Sequence, residues 1–120
     1  MPHPFVHVEL STGDLDRAKT FYTSLFGWTL KDADMGGGMS YTMIHVGEGV
    51  GGGMMKSPRP GAPPLWLPYV GVEDIKEATE KARSLGAQVM HEPMQVMGAG
   101  WFSIIVDPTG AALGMWQEGA

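Results

Sequence analysis

In Phe5-Val6-His7-Val8-Glu9-Leu10, apolar and polar positions alternate so that Val6, Val8 and Leu10 share one face of a strand and Phe5, His7 and Glu9 the other. The period then changes from two to 3.6. Leu15, Ala18, Tyr22, Leu25 and Phe26 form a helical stripe behind Asp14, the N-cap candidate, and Gly27 ends it. The same spacing returns in Ile75, Ala78, Ala82 and Leu85 after Asp74, with Glu77 placed for a capping box and Gly86 as the stop. Three strand-like runs follow each stripe, roughly 28–31, 39–46 and 50–56, then 87–91, 100–106 and 111–117. Gly36-Gly37-Gly38, the glycines at 47–49 and Asp107-Pro108-Thr109-Gly110 supply the breaks.

The two stripes belong to an internal repeat. An offset of 60 residues sets Asp14-Leu15 on Asp74-Ile75, Ala18 on Ala78, Ser24 on Ser84, Leu25 on Leu85, Ile44 on Ile104 and Val46 on Val106. One further residue sets Gly53-Met54 on Gly114-Met115. Each half therefore reads βαβββ, with halves about 1–57 and 65–120 and a Pro-rich linker, 57–64, that can continue neither a helix nor a central strand. Two such halves are too small to bury a face alone, so the expectation is one α+β domain over residues 1–120. A ferredoxin-like βαββαβ arrangement is the rival, but it leaves one strand of each half unplaced.

Composition narrows the chemistry. Eight Lys and Arg against thirteen Asp and Glu give a net charge of −5, which disfavours phosphate backbones, so no nucleic-acid partner is expected. The chain has no cysteine, which removes thiolate nucleophiles, disulfides and zinc knuckles. No run approaches the ~18 apolar residues of a membrane span, and no basic segment precedes an apolar one at the start, so a cytoplasmic protein without membrane contact is expected. Gly47-Glu48-Gly49-Val50-Gly51-Gly52 matches the dinucleotide pattern, yet Met54-Met55-Lys56-Ser57-Pro58 behind it is no helix. Lys56-Ser57 is preceded by Met55 where a P-loop needs glycine, His91-Glu92 runs into Pro93 where a zincin needs a helix, and no G-x-S-x-G is present.

His7-Val8-Glu9-Leu10, Asp14-Leu15 through Ala18, Phe21-Tyr22, Phe26-Gly27-Trp28 and Asp107-Pro108-Thr109-Gly110, taken with the duplication, resemble the vicinal oxygen chelate superfamily. That group contains glyoxalase I, extradiol dioxygenases and the bleomycin- and fosfomycin-resistance proteins. The second half, from Tyr69-Val70-Gly71-Val72 to Gly114-Met115-Trp116-Gln117, looks most like the lactoylglutathione lyase-related members. The resemblance spans essentially the whole chain. It implies duplicated βαβββ modules whose mixed, curved β-sheets form a cup with the helices outside, and a homodimer.

In the family's enzymes, four side chains from equivalent strands hold a divalent metal. The resemblance puts these positions at His7, Leu67, about Gly53 and about Gly114, so only His7 matches and no metal cofactor is expected. Glu9 shares the strand face of His7, and His45 or Tyr69 are further candidates for an improvised metal site. Two functions remain open, and with them whether the chain is an enzyme. In the first, the cup binds a small organic molecule without chemistry, through His7, Glu9, Met55, Tyr69 and Trp116. In the second, the protein is a metal-dependent lyase or isomerase acting next to a carbonyl, with Glu9 as the candidate base. Glycine at 53 and 114 is expected to leave space for the ligand. Phe21, Tyr22 and Phe26 are expected to staple the first helix to its sheet, Trp66 to cover the linker, and His3 to lie in an untethered terminus.

Overall fold

The computed structural model describes residues 2–34, 40–96 and 98–119. The expected break at Gly36-Gly37-Gly38 lies outside them. The elements in chain order are β1 (Phe5–Thr12), α1 (Leu15–Phe26), β2 (Thr29–Asp34), β3 (Ser40–His45), β4 (Gly52–Lys56), β5 (Leu65–Gly71), α2 (Ile75–Ser84), β6 (Gln88–Val96), β7 (Gly100–Val106) and β8 (Ala112–Glu118). Three strands follow each helix, which is the duplicated βαβββ order and excludes the ferredoxin-like rival. Among the described residues no helix is long and apolar enough to cross a membrane.

The chain divides into two compact units, His7–Leu67 and Met1–Val6 with Pro68–Ala120. In His7–Leu67, β1 pairs parallel with β4, while β4 with β3 and β3 with β2 run antiparallel. The buried core is Leu10, Ile44 and Met54, against which Leu15, Ala18 and Tyr22 of the helix pack together with Trp28, Leu30 and Val46. The Asp14 carboxylate accepts from the Arg17 N–H, and Gly27 closes α1 in the left-handed conformation at φ 69°, donating to the Thr23 carbonyl.

Tyr22 packs on the sheet core and Phe26 on Trp28, with ring centroids 4.9 Å apart. Phe21 and Phe26 are more than half exposed, because the sheet covers just the Leu15, Ala18 and Tyr22 edge of the stripe. Trp66 packs edge-on to Tyr22 and Trp28, with ring centroids 5.4 and 6.4 Å away, and its indole N–H donates to the Tyr22 hydroxyl at 3.3 Å. It covers Tyr22 and Trp28.

In the other unit, β5 pairs parallel with β8, and β8 with β7 and β7 with β6 are antiparallel. Ile75, Ile105 and Met115 form its core, flanked by Val72, Ala78, Ala82 and Leu113. Asp74 caps α2 by accepting from the Lys76 and Glu77 N–H groups, and the Gln117 side-chain oxygen takes the Ile75 N–H at 2.8 Å. Strand β6 runs five residues past the expected end at His91. Pro93 is tolerated there because β6 is an edge strand with register shifts on both sides of His91. The N-terminus is tied down: the Gly71 N–H donates to the Pro4 carbonyl at 2.8 Å, and His3 Nδ1 lies 3.0 Å from the Gly71 carbonyl.

Candidate functional site

Strand alternation in His7–Leu67 sends Leu10, Ile44 and Met54 towards the helix, so the residues between them face away from it. His7 and Glu9 of β1, Tyr41, Met43 and His45 of β3, and Gly53 and Met55 of β4 all lie on this second face. The register sets Glu9 beside Gly53, Gly53 beside Met43 and Met43 beside Lys31, with Ser11 beside Met55. Three of the expected site residues, His7, Glu9 and Met55, therefore share one sheet face, and each is half-buried.

The polar centre of this face is a residue the sequence pattern did not single out. The Tyr41 hydroxyl donates to Glu9 Oε2 at 2.8 Å and lies 2.7 Å from His7 Nε2. A phenol has one proton, and here it goes to the carboxylate, so His7 Nε2 must carry the hydrogen of the second bond and donate it to the Tyr41 oxygen. Burial pushes the His7 imidazole below its usual pKa, which fits a neutral ring in that tautomer. The two rings are near parallel, with centroids 6.1 Å apart and 25° between planes.

Gly53 explains how Tyr41 reaches this place. A Cβ on Gly53 would fall on the Tyr41 hydroxyl and the adjoining ring carbons. The missing side chain does not leave a vacancy here. It makes room for the phenol, which corrects the expectation of open space at this position.

In the other unit, Tyr69 is buried and sits beside Gly114 across the β5–β8 pair, its ring filling the place of a Gly114 Cβ. Trp116, the last expected site residue, stands in the next row between Gly71 and Phe102, and its ring leans over Gly100. Phe102 in turn packs on His91, with centroids 4.7 Å apart. Tyr69, Phe102 and Trp116 thus line the face that points away from Ile105 and Met115.

The metal positions implied by the resemblance can be tested against these contacts. Leu67, Gly53 and Gly114 carry no donor side chain, His7 Nε2 is bonded to Tyr41, and the ground over Gly53 and over Gly114 is taken by tyrosine rings. Among the described residues no group of three or more His, Asp or Glu is arranged to hold a metal ion. These residues do not fit the family's metal.

The duplicated fold and the motifs along it define a class. The chain belongs to the glyoxalase/bleomycin resistance protein/dioxygenase superfamily, whose family model matches residues 5–115. It is 43% identical over 114 residues to CFP32 of Mycobacterium tuberculosis, described as a candidate glyoxylase, and 31% identical over 125 residues to the anthracycline biosynthesis protein DnrV of Streptomyces peucetius. Both alignments cover 92% of this chain but 44% and 46% of those proteins, so the chain spans about half the length of the curated relatives it matches.

Among solved structures, a hypothetical protein from Bacillus halodurans aligns with a TM-score of 0.76 at 13% identity, over 100% of this chain and 97% of that one. Methylmalonyl-CoA epimerase from Mycobacterium tuberculosis aligns with a TM-score of 0.72 at 17% identity, over 97% and 88%. These neighbours share the vicinal oxygen chelate fold with this chain.

Proposed function

We propose that the protein binds a small, partly apolar organic molecule on the sheet face carrying His7, Glu9, Tyr41 and Met55, without a resident metal. The observation that carries this reading is the Tyr41 hydroxyl. It sits over Gly53, bonded to both His7 and Glu9, where the resemblance would have a metal-binding side chain. A metal enzyme needs His7 as a ligand, whereas here its Nε2 is already a donor to a phenol. Tyr69, Phe102 and Trp116 give the other unit an aromatic face of its own. The curated relatives named for anthracycline biosynthesis and as a candidate glyoxylase, and a solved methylmalonyl-CoA epimerase holding methylmalonyl-CoA, support an organic carbonyl compound as the kind of molecule bound.

The test has two arms. Elemental analysis of natively purified protein is expected to give far less than one Zn, Ni, Fe or Mn per chain; about one per chain, lost on His7→Ala, overturns the reading. A thermal-shift screen over metabolites and aromatic drugs is expected to return ligands whose affinity falls by roughly 1–3 kcal/mol in Met55→Ala through lost apolar contact. Glu9→Gln is expected to change ligand choice more than stability. Hits indifferent to both substitutions would place the site elsewhere.

A homodimer belongs to the same proposal. Phe21 and Leu25 expose 56 and 57% of their surface along one helix edge, an apolar strip that a second chain could cover. Light scattering at micromolar concentration is expected to report twice the chain mass, and a monomer counts against it.

A further inference from the structure

We propose that Met90, His91 and Met94 of the bulged edge strand β6 form a binding site for a soft monovalent metal ion, Cu(I), held by two thioether sulfurs and His91 Nε2. The site lies in the unit that carries β5 to β8 and is independent of the His7 face, so neither proposal needs the other.

Two irregularities in the strand gather the donors. The single step on β7 from Ile105 to Ile104 is matched on β6 by two, from Val89 to His91, and the two steps from Ile104 to Phe102 are matched by three, from His91 to Met94. Val89 packs on the core of Ile75, Ile105 and Met115, so Met90 after it turns to the opposite face. His91 and Met94 pair with Ile104 and Phe102, which alternate with the buried Ser103 and Ile105 and so lie on that same face. Regular alternation would send Met90 and His91 to opposite sides, and the bulge puts both on one. The Ile104 and Phe102 rows are about 7 Å apart along the strand, a span that two methionine side chains and an imidazole can close on one ion.

His91 is set for ligation. Its Nδ1 lies 2.7 Å from the Glu92 carbonyl oxygen, which only accepts, so Nδ1 carries the hydrogen and the neutral ring keeps its lone pair at Nε2. A ring N–H held by a backbone carbonyl fixes the tautomer and raises the basicity of the other nitrogen, as in metal-ligating histidines generally. The Phe102 ring packs against the imidazole with centroids 4.7 Å apart and limits its rotation. Met90 and Met94 expose 57 and 54% of their surface, so neither fills the core.

The donor set selects the ion. Thioethers are soft, which suits Cu(I), whereas Mg2+ and Ca2+ require oxygen. Three neutral donors leave the charge of the ion uncompensated, and a monovalent ion tolerates that better than a divalent one. The neighbouring carboxylate of Glu92 is already paired with the Arg83 guanidinium, which also holds Glu80. Because β6 is an edge strand, the ion reaches its donors without any strands parting.

The experiment uses the full chain, its methionines labelled with carbon-13 at the ε-methyl, and titrates it with Cu(I) under anaerobic reducing conditions, with Ag(I) as a redox-inert counterpart and Zn2+ as the divalent control. About one Cu(I) per chain is expected, with the Met90 and Met94 methyls and the His91 ring shifting together in proton–carbon NMR while Zn2+ leaves the two methyls in place. Competition with a colorimetric Cu(I) chelator should read an affinity at least about tenfold weaker in each of Met90→Leu, Met94→Leu and His91→Asn, and no binding in the triple variant. Leucine keeps the apolar volume at these exposed positions, so unfolding midpoints should match wild type. The wild-type spectra test the site even where a variant fails to fold. Cu(I) that shifts other methionine methyls and leaves those of Met90 and Met94 unmoved overturns the proposal, as does unchanged affinity in the Met90→Leu/Met94→Leu double variant. Zn2+ that moves the same three residues at the same concentration overturns the assignment to a soft ion.

Discussion

The ring of Tyr69 lies directly across the parallel β5–β8 pair from Gly114 and fills the space that a side chain at Gly114 would need. Glycine on a strand ordinarily weakens it, and here the loss is offset by close ring-to-backbone packing of a residue that is only 5% exposed. Gly114→Ala is expected to destabilise the protein by about 1–3 kcal/mol, because the strand backbone cannot retreat and the buried ring must. Urea denaturation checks this, and the double variant with Tyr69→Ala should lose less than the sum of the single changes.

This packing marks the limit of what the sequence made legible. Periodicity and the 60-residue offset sufficed for both helices, their Asp14 and Asp74 caps and the three strands behind each, since those rest on local spacing. Alternation was enough to place His7 and Glu9 opposite Leu10. Tyr41 was missed because its partners come from pairing: it meets Glu9 only through the register of β3 on β4 and β4 on β1, and the segment holding Gly36-Gly37-Gly38 gave no fixed turn from which to count. The signal was nonetheless present in Tyr41, Met43 and His45 alternating with the buried Thr42 and Ile44. Reading Gly53 and Gly114 as open ground failed for a related reason, since a missing side chain says nothing about which neighbour moves in.

Thr79 and Ser103 offer a second test of packing. The Thr79 hydroxyl donates to the Ile75 carbonyl at 2.6 Å, so the 2.9 Å contact with Ser103 Oγ must be a donation from serine. Both residues are buried. Thr79→Val strands the serine hydroxyl and should cost about 1–3 kcal/mol, while adding Ser103→Ala to it should recover part of that loss, as read from thermal or urea unfolding.

Because burial lowers the His7 pKa below 6.5, the unfolded chain binds a proton at pH values where the folded ring does not. The unfolded state then carries more protons, so stability rises with pH across that window: this contribution is present above 6.5 and declines as pH falls towards the folded pKa. The urea midpoint of wild type should therefore drop more between pH 8 and pH 5 than that of His7→Gln. Equal drops would show that the imidazole does not resist protonation in this site.

The turn before β8 depends on one carboxylate. Asp107 accepts from the Thr109 hydroxyl at 2.6 Å, the Thr109 N–H at 2.8 Å and the Ala111 N–H at 3.1 Å, while Gly110 takes the left-handed conformation at φ 99° that closes the turn. The Thr109 hydroxyl is the chief reason the Asp107 pKa falls below 3.8, with the backbone donors adding to it. A depressed carboxylate pKa stabilises the fold above the unfolded value and ceases to do so as pH falls through the folded one. Asp107→Asn keeps an acceptor oxygen but no charge, so it should be less stable than wild type at pH 7, and the gap should close on acidification below about 3.8. Thr109→Ala, which removes the strongest donor, should close its own gap over the same range. Unfolding midpoints measured at pH 7, 5 and 3 decide the matter: a difference between wild type and Asp107→Asn that stays constant down to pH 3 means that the turn is held by its backbone bonds and not by the carboxylate.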